Sequence, residues 1–96
     1  MKFDDYYRHY LTLHQDPTNR RLHIVGQLVT FIYLSIMIFN GHWWWLCLSP
    51  FIVYPFAWVG HFFFENNIPA AFTHPLWAKL SDLRMFKDVL VGKIKW

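Results

Sequence analysis

Leu22 to Phe64 reads LHIVGQLVTFIYLSIMIFNGHWWWLCLSPFIVYPFAWVGHFFF, 43 residues without an Asp, Glu, Lys or Arg in a chain of 96. Seven charged residues lie between Lys2 and Arg21 and eight between Glu65 and Lys95. A soluble domain of this size needs a polar outer surface, which it cannot easily keep with nearly half its length uncharged. A disordered chain is excluded as well, because 55% hydrophobic and 22% aromatic content is far above what such segments carry. The pattern predicts an all-α membrane protein of one domain, residues 1–96.

The uncharged stretch divides at Asn40-Gly41. Ile24 to Phe39 would make about 24 Å of helix, slightly short of the ~30 Å hydrocarbon core, and His23 and Asn40 extend it to a first span over 23–40. Trp43 to Phe64 supplies a second span over 43–64, roughly 33 Å long, with kinks expected at Pro50 and Pro55. Together they predict a two-span transmembrane helical hairpin. Trp43, Trp44 and Trp45 suit the headgroup layer of one face. Lys2, Arg8, Arg20 and Arg21 precede the hairpin, and Lys79, Arg84, Lys87, Lys93 and Lys95 follow it, while the turn holds no basic residue. The positive-inside rule then places both termini in the cytoplasm. The first 21 residues are polar and aromatic, so no cleavable signal is expected.

The flanks are expected to be helical too. Phe3, Tyr6, Tyr7, Tyr10 and Leu11 form the stripe of an N-terminal amphipathic helix with Asp4 as its cap, interrupted at Asp16-Pro17, within residues 1–22. In residues 65–96, Leu76, Leu80, Leu83, Phe86 and Leu90 form a second stripe after Pro75. Lys79, Asp82, Arg84, Lys87 and Asp88 occupy the remaining faces, which predicts a C-terminal interfacial helix or a lid over the hairpin. The formal charge of +3 comes without a compact basic stripe or a nucleic-acid motif, so membrane lipids, not nucleic acid, are the expected partner of these charges. A single cysteine, Cys47, excludes an intramolecular disulfide framework and a paired-cysteine zinc site.

Six histidines need explaining. Antiparallel spans return the chain to the face where it entered, which sets His23 and His61 at a similar depth, with Glu65 one helical turn beyond His61. His14 joins them if the Asp16-Pro17 break folds the first helix back over the hairpin mouth. Such a set suits iron, zinc or copper, and two histidines with one carboxylate can form a facial triad with open positions. The competing explanation is that these imidazoles simply sit at the interface, as Tyr and Trp do. Asn19 could orient a ligand, and Arg20 could hold a substrate carboxylate. His42 lies on the opposite face, His9 is turned away, and His74 is a weaker candidate.

The string His14-x-x-Pro17-x-Asn19-x-x-x-His23, followed by a hairpin and then Gly60-His61-x-x-x-Glu65-x-Asn67-x-Pro69-Ala70, resembles the small membrane family of iron(II)-dependent 2-hydroxy fatty acid dioxygenases. The likeness extends through Pro75-Leu76, Asp82, Met85 and Gly92-Lys93 and is to the short bacterial form, since eukaryotic members carry additional hydrophobic segments between the two motifs. It implies Fe(2+) held by His14, His23 and His61, with Glu65 as fourth ligand or as an acid beside them. It implies a reaction of α-oxidation, in which a 2-hydroxy fatty acid and O2 give the one-carbon-shorter acid, CO2 and water. It also implies a bacterial inner-membrane location. The acyl tail would lie among lipid tails or against Trp58, Phe62, Phe63 and Phe64, aromatics that any span would also contain. The alternative is a small haem- or metal-binding membrane protein without oxygenase activity. A two-helix hairpin is a thin wall for a site, which leaves a homodimer open.

Overall fold

The computed structural model describes residues 2–96. Among the described residues the regular structure is all helical, with four α-helices and no strand: α1 (Phe3–Thr12), α2 (Pro17–Phe39), α3 (Val53–Val59) and α4 (Pro75–Leu90).

α2 starts at Pro17, whose fixed φ and missing N–H suit a first turn. The Asp16 carboxylate accepts from the N–H groups of Thr18 and Asn19 at 2.9 and 3.1 Å, capping two otherwise unpaired donors. The helix is thus already formed at Asn19 and Arg20, and Asn19 and His23 share one face of it.

The second apolar segment, Trp43–Glu65, is helical with three windings. A tight 3-10 stretch runs Trp43–Phe51 through Pro50, α3 follows, and a wide π turn closes it at Gly60–Glu65. Both this segment and α2 are 23 residues long and apolar enough to cross a membrane, with mean hydropathies of 1.5 and 2.0. Only 22% and 28% of their apolar windows is buried inside the molecule, so most of that surface has no partner among the described residues.

α2 and the second segment lie side by side. The Tyr33 hydroxyl donates to the Trp45 carbonyl at 2.6 Å, and Gly26 faces Val53 and Phe56 so closely that a Cβ would come 2.9 Å from Val53 Cγ2. At the other end Gly60 lies against Asn19, where a Cβ would overlap the amide oxygen.

α1 and α4 cover the end of this pair nearest Gly60. Tyr6, Tyr7 and Tyr10 bury their rings against Ala70, Ala78 and Met85. The Tyr7 hydroxyl donates to Asp88 at 2.6 Å, and the Arg84 guanidinium lies 4.2 Å from the Tyr7 ring centroid. Asp4 does not cap α1. The N-cap position is Lys2, and Asp4 sits in the first turn, where it accepts from Arg84 at 2.8 Å.

α4 departs further from expectation. Leu76, Leu80 and Leu90 are exposed, whereas Ala78, Ser81, Asp82, Met85, Phe86 and Asp88 face inward. Of the predicted stripe Phe86 is buried, while Leu76, Leu80 and Leu90 face away from the molecule. Two acids expected outside are buried because partners wait for them, Gln27 for Asp82 and Tyr7 for Asp88.

Candidate metal centre

Three chain segments each deliver one histidine to the same point. His14 follows the end of α1, His23 lies on α2, and His61 is in the π turn; all three are buried. The ring centroids are 4.6 Å apart for His14 and His23, 4.5 Å for His14 and His61, and 5.0 Å for His23 and His61, each pair nearly perpendicular. One nitrogen from each lies within 4.8 Å of the others.

Every ring has its far nitrogen tied down. His14 Nδ1 is 2.7 Å from the Tyr10 carbonyl, and His23 Nδ1 is 2.9 Å from the Asn19 carbonyl. A carbonyl only accepts, so both Nδ1 atoms carry the hydrogen. His61 Nδ1 is 2.6 Å from Asn67 Oδ1, and Asn67 Nδ2 donates to the Leu13 carbonyl at 3.0 Å, which fixes the amide orientation and makes His61 Nδ1 a donor too. All three Nε2 atoms are left with a lone pair. Burial first, then the neighbouring His23 and His61, holds the pKa of His14 well below the ordinary value of 6.5, which keeps this ring neutral.

Two of those lone pairs face one another, His14 Nε2 and His23 Nε2, 3.3 Å apart. With both Nδ1 hydrogens committed to backbone carbonyls, two neutral rings have no hydrogen left to bridge them, and a shared cation satisfies both. Imidazole nitrogens bind transition metals at about 2.0–2.1 Å, which puts ligand nitrogens on one ion roughly 3 to 4 Å apart. The donor set therefore fits a metal ion, with each ligand oriented by a hydrogen bond behind it. A haem fits poorly, since 5.0 Å between the His23 and His61 rings is too close for axial ligation from opposite sides of a macrocycle.

The structure does not bring Glu65 into this group of nitrogens. Its Oε1 accepts from the Asp16 N–H at 2.9 Å and from Asn19 Nδ2 at 3.1 Å, joining the end of the π turn to the start of α2. The π turn is the physical reason, because its wider winding breaks the i, i+4 alignment expected between His61 and Glu65. The turn ends at Asn66, which takes the left-handed conformation at φ 60°, and the Asn67 N–H returns to the His61 carbonyl at 3.1 Å.

Asn19 is fully buried and supports the site twice, through its carbonyl on His23 and its side chain on Glu65. Arg20 faces backbone instead, with Nη1 donating to the carbonyls of His14 at 3.2 Å and Gln15 at 2.8 Å. It holds the connection between α1 and α2 in place. His74 is exposed beside Tyr6 and Trp77, and His9 and His42 are exposed.

A cavity of about 30 Å³ adjoins the three imidazoles. Tyr54 and Trp58, stacked at 5.9 Å, line it on one side, and Lys79 and Asp82 line it from α4. Phe62 lies outside, near Phe72, and Phe63 and Phe64 are exposed. Sequence reasoning missed Lys79 and Asp82, which looked like solvent charges. The support given by Asn67 was also missed, although its place in the second motif was visible.

The family model for 2-hydroxy-palmitic acid dioxygenase Mpo1-like proteins matches residues 1–94. The chain belongs to this family. No curated protein and no solved structure matches it. The matched span contains the whole three-histidine centre, its supports Tyr10, Asn19 and Asn67, and the cavity lining from α4.

Proposed function

We propose that this Mpo1-like chain is a membrane-bound iron(II)-dependent dioxygenase that converts a 2-hydroxy fatty acid to the acid one carbon shorter. The observation that carries this is the convergence of three buried, oriented histidines in a member of a family described by that activity. The reaction balances without a further reductant: R-CH(OH)-COOH plus O2 gives R-COOH, CO2 and H2O, and the substrate supplies the electrons.

His14, His23 and His61 would hold the ion through their Nε2 atoms. Iron(II) bound there would supply the redox chemistry that lets O2 react with a closed-shell acid. The protein's own part is orientation and exclusion of water. Tyr10, Asn19 and Asn67 fix the three rings before any ligand arrives, so little reorganisation accompanies binding. Glu65 acts on the centre through Asn19 and Asp16 by locking the π turn to α2. The cavity admits the polar head of the substrate, and its aromatic mouth at Tyr54 and Trp58 passes the acyl tail outward.

α2 and Trp43–Glu65 are the two spans of a transmembrane hairpin, which gives their uncovered apolar surface a lipid environment. The basic residues of both flanks favour cytoplasmic termini, and the likeness to the short bacterial form favours the bacterial inner membrane. The metal centre then sits at the cytoplasmic mouth, where an amphiphilic acid keeps its tail in lipid while its head reaches the ligands.

The test is anaerobic loading with iron(II), followed by O2 and 2-hydroxypalmitate, with products identified by mass. The expected product is the fifteen-carbon acid with an equivalent of CO2. Iron-loaded protein that consumes no hydroxy acid would overturn the dioxygenase function and leave a metal-binding membrane protein.

A further inference from the structure

Lys79 and Asp82 lie about one turn apart on α4, and both line the cavity beside the histidines. Each ends in a buried polar atom without a hydrogen-bond partner among the described residues, Lys79 Nζ and Asp82 Oδ1. Asp82 is not loose, since its other oxygen accepts from the buried Gln27 amide at 2.7 Å. Unpaired buried donors and acceptors are costly, and more so when charged, so two in one small cavity call for a ligand carrying the complementary groups. Burial also pushes the Lys79 ammonium below its ordinary pKa, with the Asp82 carboxylate acting the other way. A cation in that position gains from a further anion.

Resting on the function proposed above, we propose that Lys79 and Asp82 form the head-group seat for the 2-hydroxy acid. The Lys79 ammonium binds the carboxylate, and Asp82 Oδ1 accepts from the 2-hydroxyl. The cavity has space for about two or three water-sized groups, comparable to the oxygens of the polar head and far too little for an acyl chain. One cation and one acceptor distinguish a 2-hydroxy acid from its neighbours in chemistry. A methyl ester forfeits the charge on Lys79, and an unsubstituted fatty acid leaves Asp82 Oδ1 unpaired. A 2-oxo acid turns an acceptor toward an acceptor. Arg20 does not compete for the carboxylate, because it does not line the cavity and its Nη1 is committed to two backbone carbonyls.

Asp82→Asn is the sharper probe. Gln27 Nε2 donates toward the Oδ2 position, so the amide oxygen of the variant is drawn there and its NH2 replaces Oδ1 in the cavity. The acceptor becomes a donor, and preference shifts from the 2-hydroxy acid toward the 2-oxo acid.

The experiment is equilibrium binding to metal-free, full-length protein in lipid nanodiscs. Radiolabelled 2-hydroxypalmitate is competed with unlabelled 2-hydroxypalmitate, its methyl ester, palmitate and 2-oxopalmitate. Wild type is expected to prefer the acid to the ester by about ten- to a hundredfold, the size of a charge-assisted hydrogen bond. Lys79→Met should abolish that preference, Lys79→Arg should keep part of it, and Asp82→Asn should invert the hydroxy-to-oxo order. The seat is overturned if wild type does not distinguish acid from ester. It is equally overturned if Lys79→Met, melting as wild type does, still distinguishes them, or if Asp82→Asn leaves the hydroxy-to-oxo order unchanged. The same preparations loaded with iron(II) separate the two proposals. Selective binding without product sinks the dioxygenase function alone, whereas product formation with an unchanged KM in Lys79→Met sinks the seat alone.

Discussion

Asn67→Ala tests whether the histidines are held as metal ligands or merely packed together. The substitution removes two hydrogen bonds, the one accepted from His61 Nδ1 at 2.6 Å and the one donated to the Leu13 carbonyl at 3.0 Å. At about 0.5–1.5 kcal/mol net for each, the metal-free protein should lose roughly 1–3 kcal/mol of stability. The effect on metal is separate. Without the Asn67 oxygen, His61 can carry its hydrogen on Nε2, the nitrogen needed for ligation, or turn in its pocket. Loss of such a support costs about 10- to 100-fold in metal affinity, or roughly 1.4–2.7 kcal/mol. Asn67→Asp provides the control, because it keeps an acceptor for His61 while giving up the donor to Leu13. The assay is anaerobic competition for iron(II) or cobalt(II) against a chromophoric chelator, alongside thermal melting of the metal-free protein. The expected result is weakened affinity in Asn67→Ala, near-wild-type affinity in Asn67→Asp, and lowered stability in both. If Asn67→Ala binds metal within about twofold of wild type, or if the Asp variant falls as far as the Ala variant, the orienting role is refuted.

Gly60→Ala should be severe for its size, since the added methyl meets the Asn19 side chain and comes 3.1 Å from the Asn19 Cα; we expect a loss of about 1–3 kcal/mol by melting and a drop in metal affinity by chelator competition. Arg20→Ala should lower the melting temperature and metal occupancy through the freed His14 and Gln15 carbonyls, while leaving the preference for 2-hydroxypalmitate over its methyl ester intact; loss of that preference would return the carboxylate to Arg20. On the alkaline side, burial first and the Asp88 and Asp82 carboxylates next raise the phenol pKa values of Tyr7 and Tyr10, respectively, above 10.0. The folded chain keeps these protons where the unfolded chain releases them, so this stabilisation is fully present below pH 10 and is lost as pH rises above it. A denaturation series over alkaline pH should show that loss, with a shallower slope in Tyr7→Phe.

The helical class and the two apolar segments were legible because an uncharged run of this length allows few other structures. Folding of His14 back onto His23 was legible from the Asp16-Pro17 break, where a proline that cannot continue one helix starts the next. What the residues could not reveal was winding. His61 and Glu65 stand at i, i+4, and an α-helix would have pointed both at the centre, but the π turn keeps His61 there and moves Glu65 onto Asp16 and Asn19. No residue pattern distinguishes a π turn from an α turn in an apolar run. Gly60 marks the place only in retrospect, by the close approach of Asn19.

α4 misled for a different reason, and that reason bears on function. Expecting its charges on the outer faces assumes water outside the molecule. If the exterior near the site is lipid and headgroup, exposed Leu76, Leu80 and Leu90 are suitably placed, and polar residues can be collected inside. There they meet their partners, Asp88 on Tyr7 and Asp82 on Gln27. Such burial carries a desolvation cost that the Gln27 and Tyr7 hydrogen bonds only partly offset. Lys79 Nζ and Asp82 Oδ1 have no hydrogen-bond partner among the described residues, with the Tyr10 phenol near Asp82. A helix needed only as a cover could meet the two apolar segments with alanines and leucines. The polar inner face of α4 is better explained by what it presents to the cavity, a cation and an acceptor beside three oriented imidazoles.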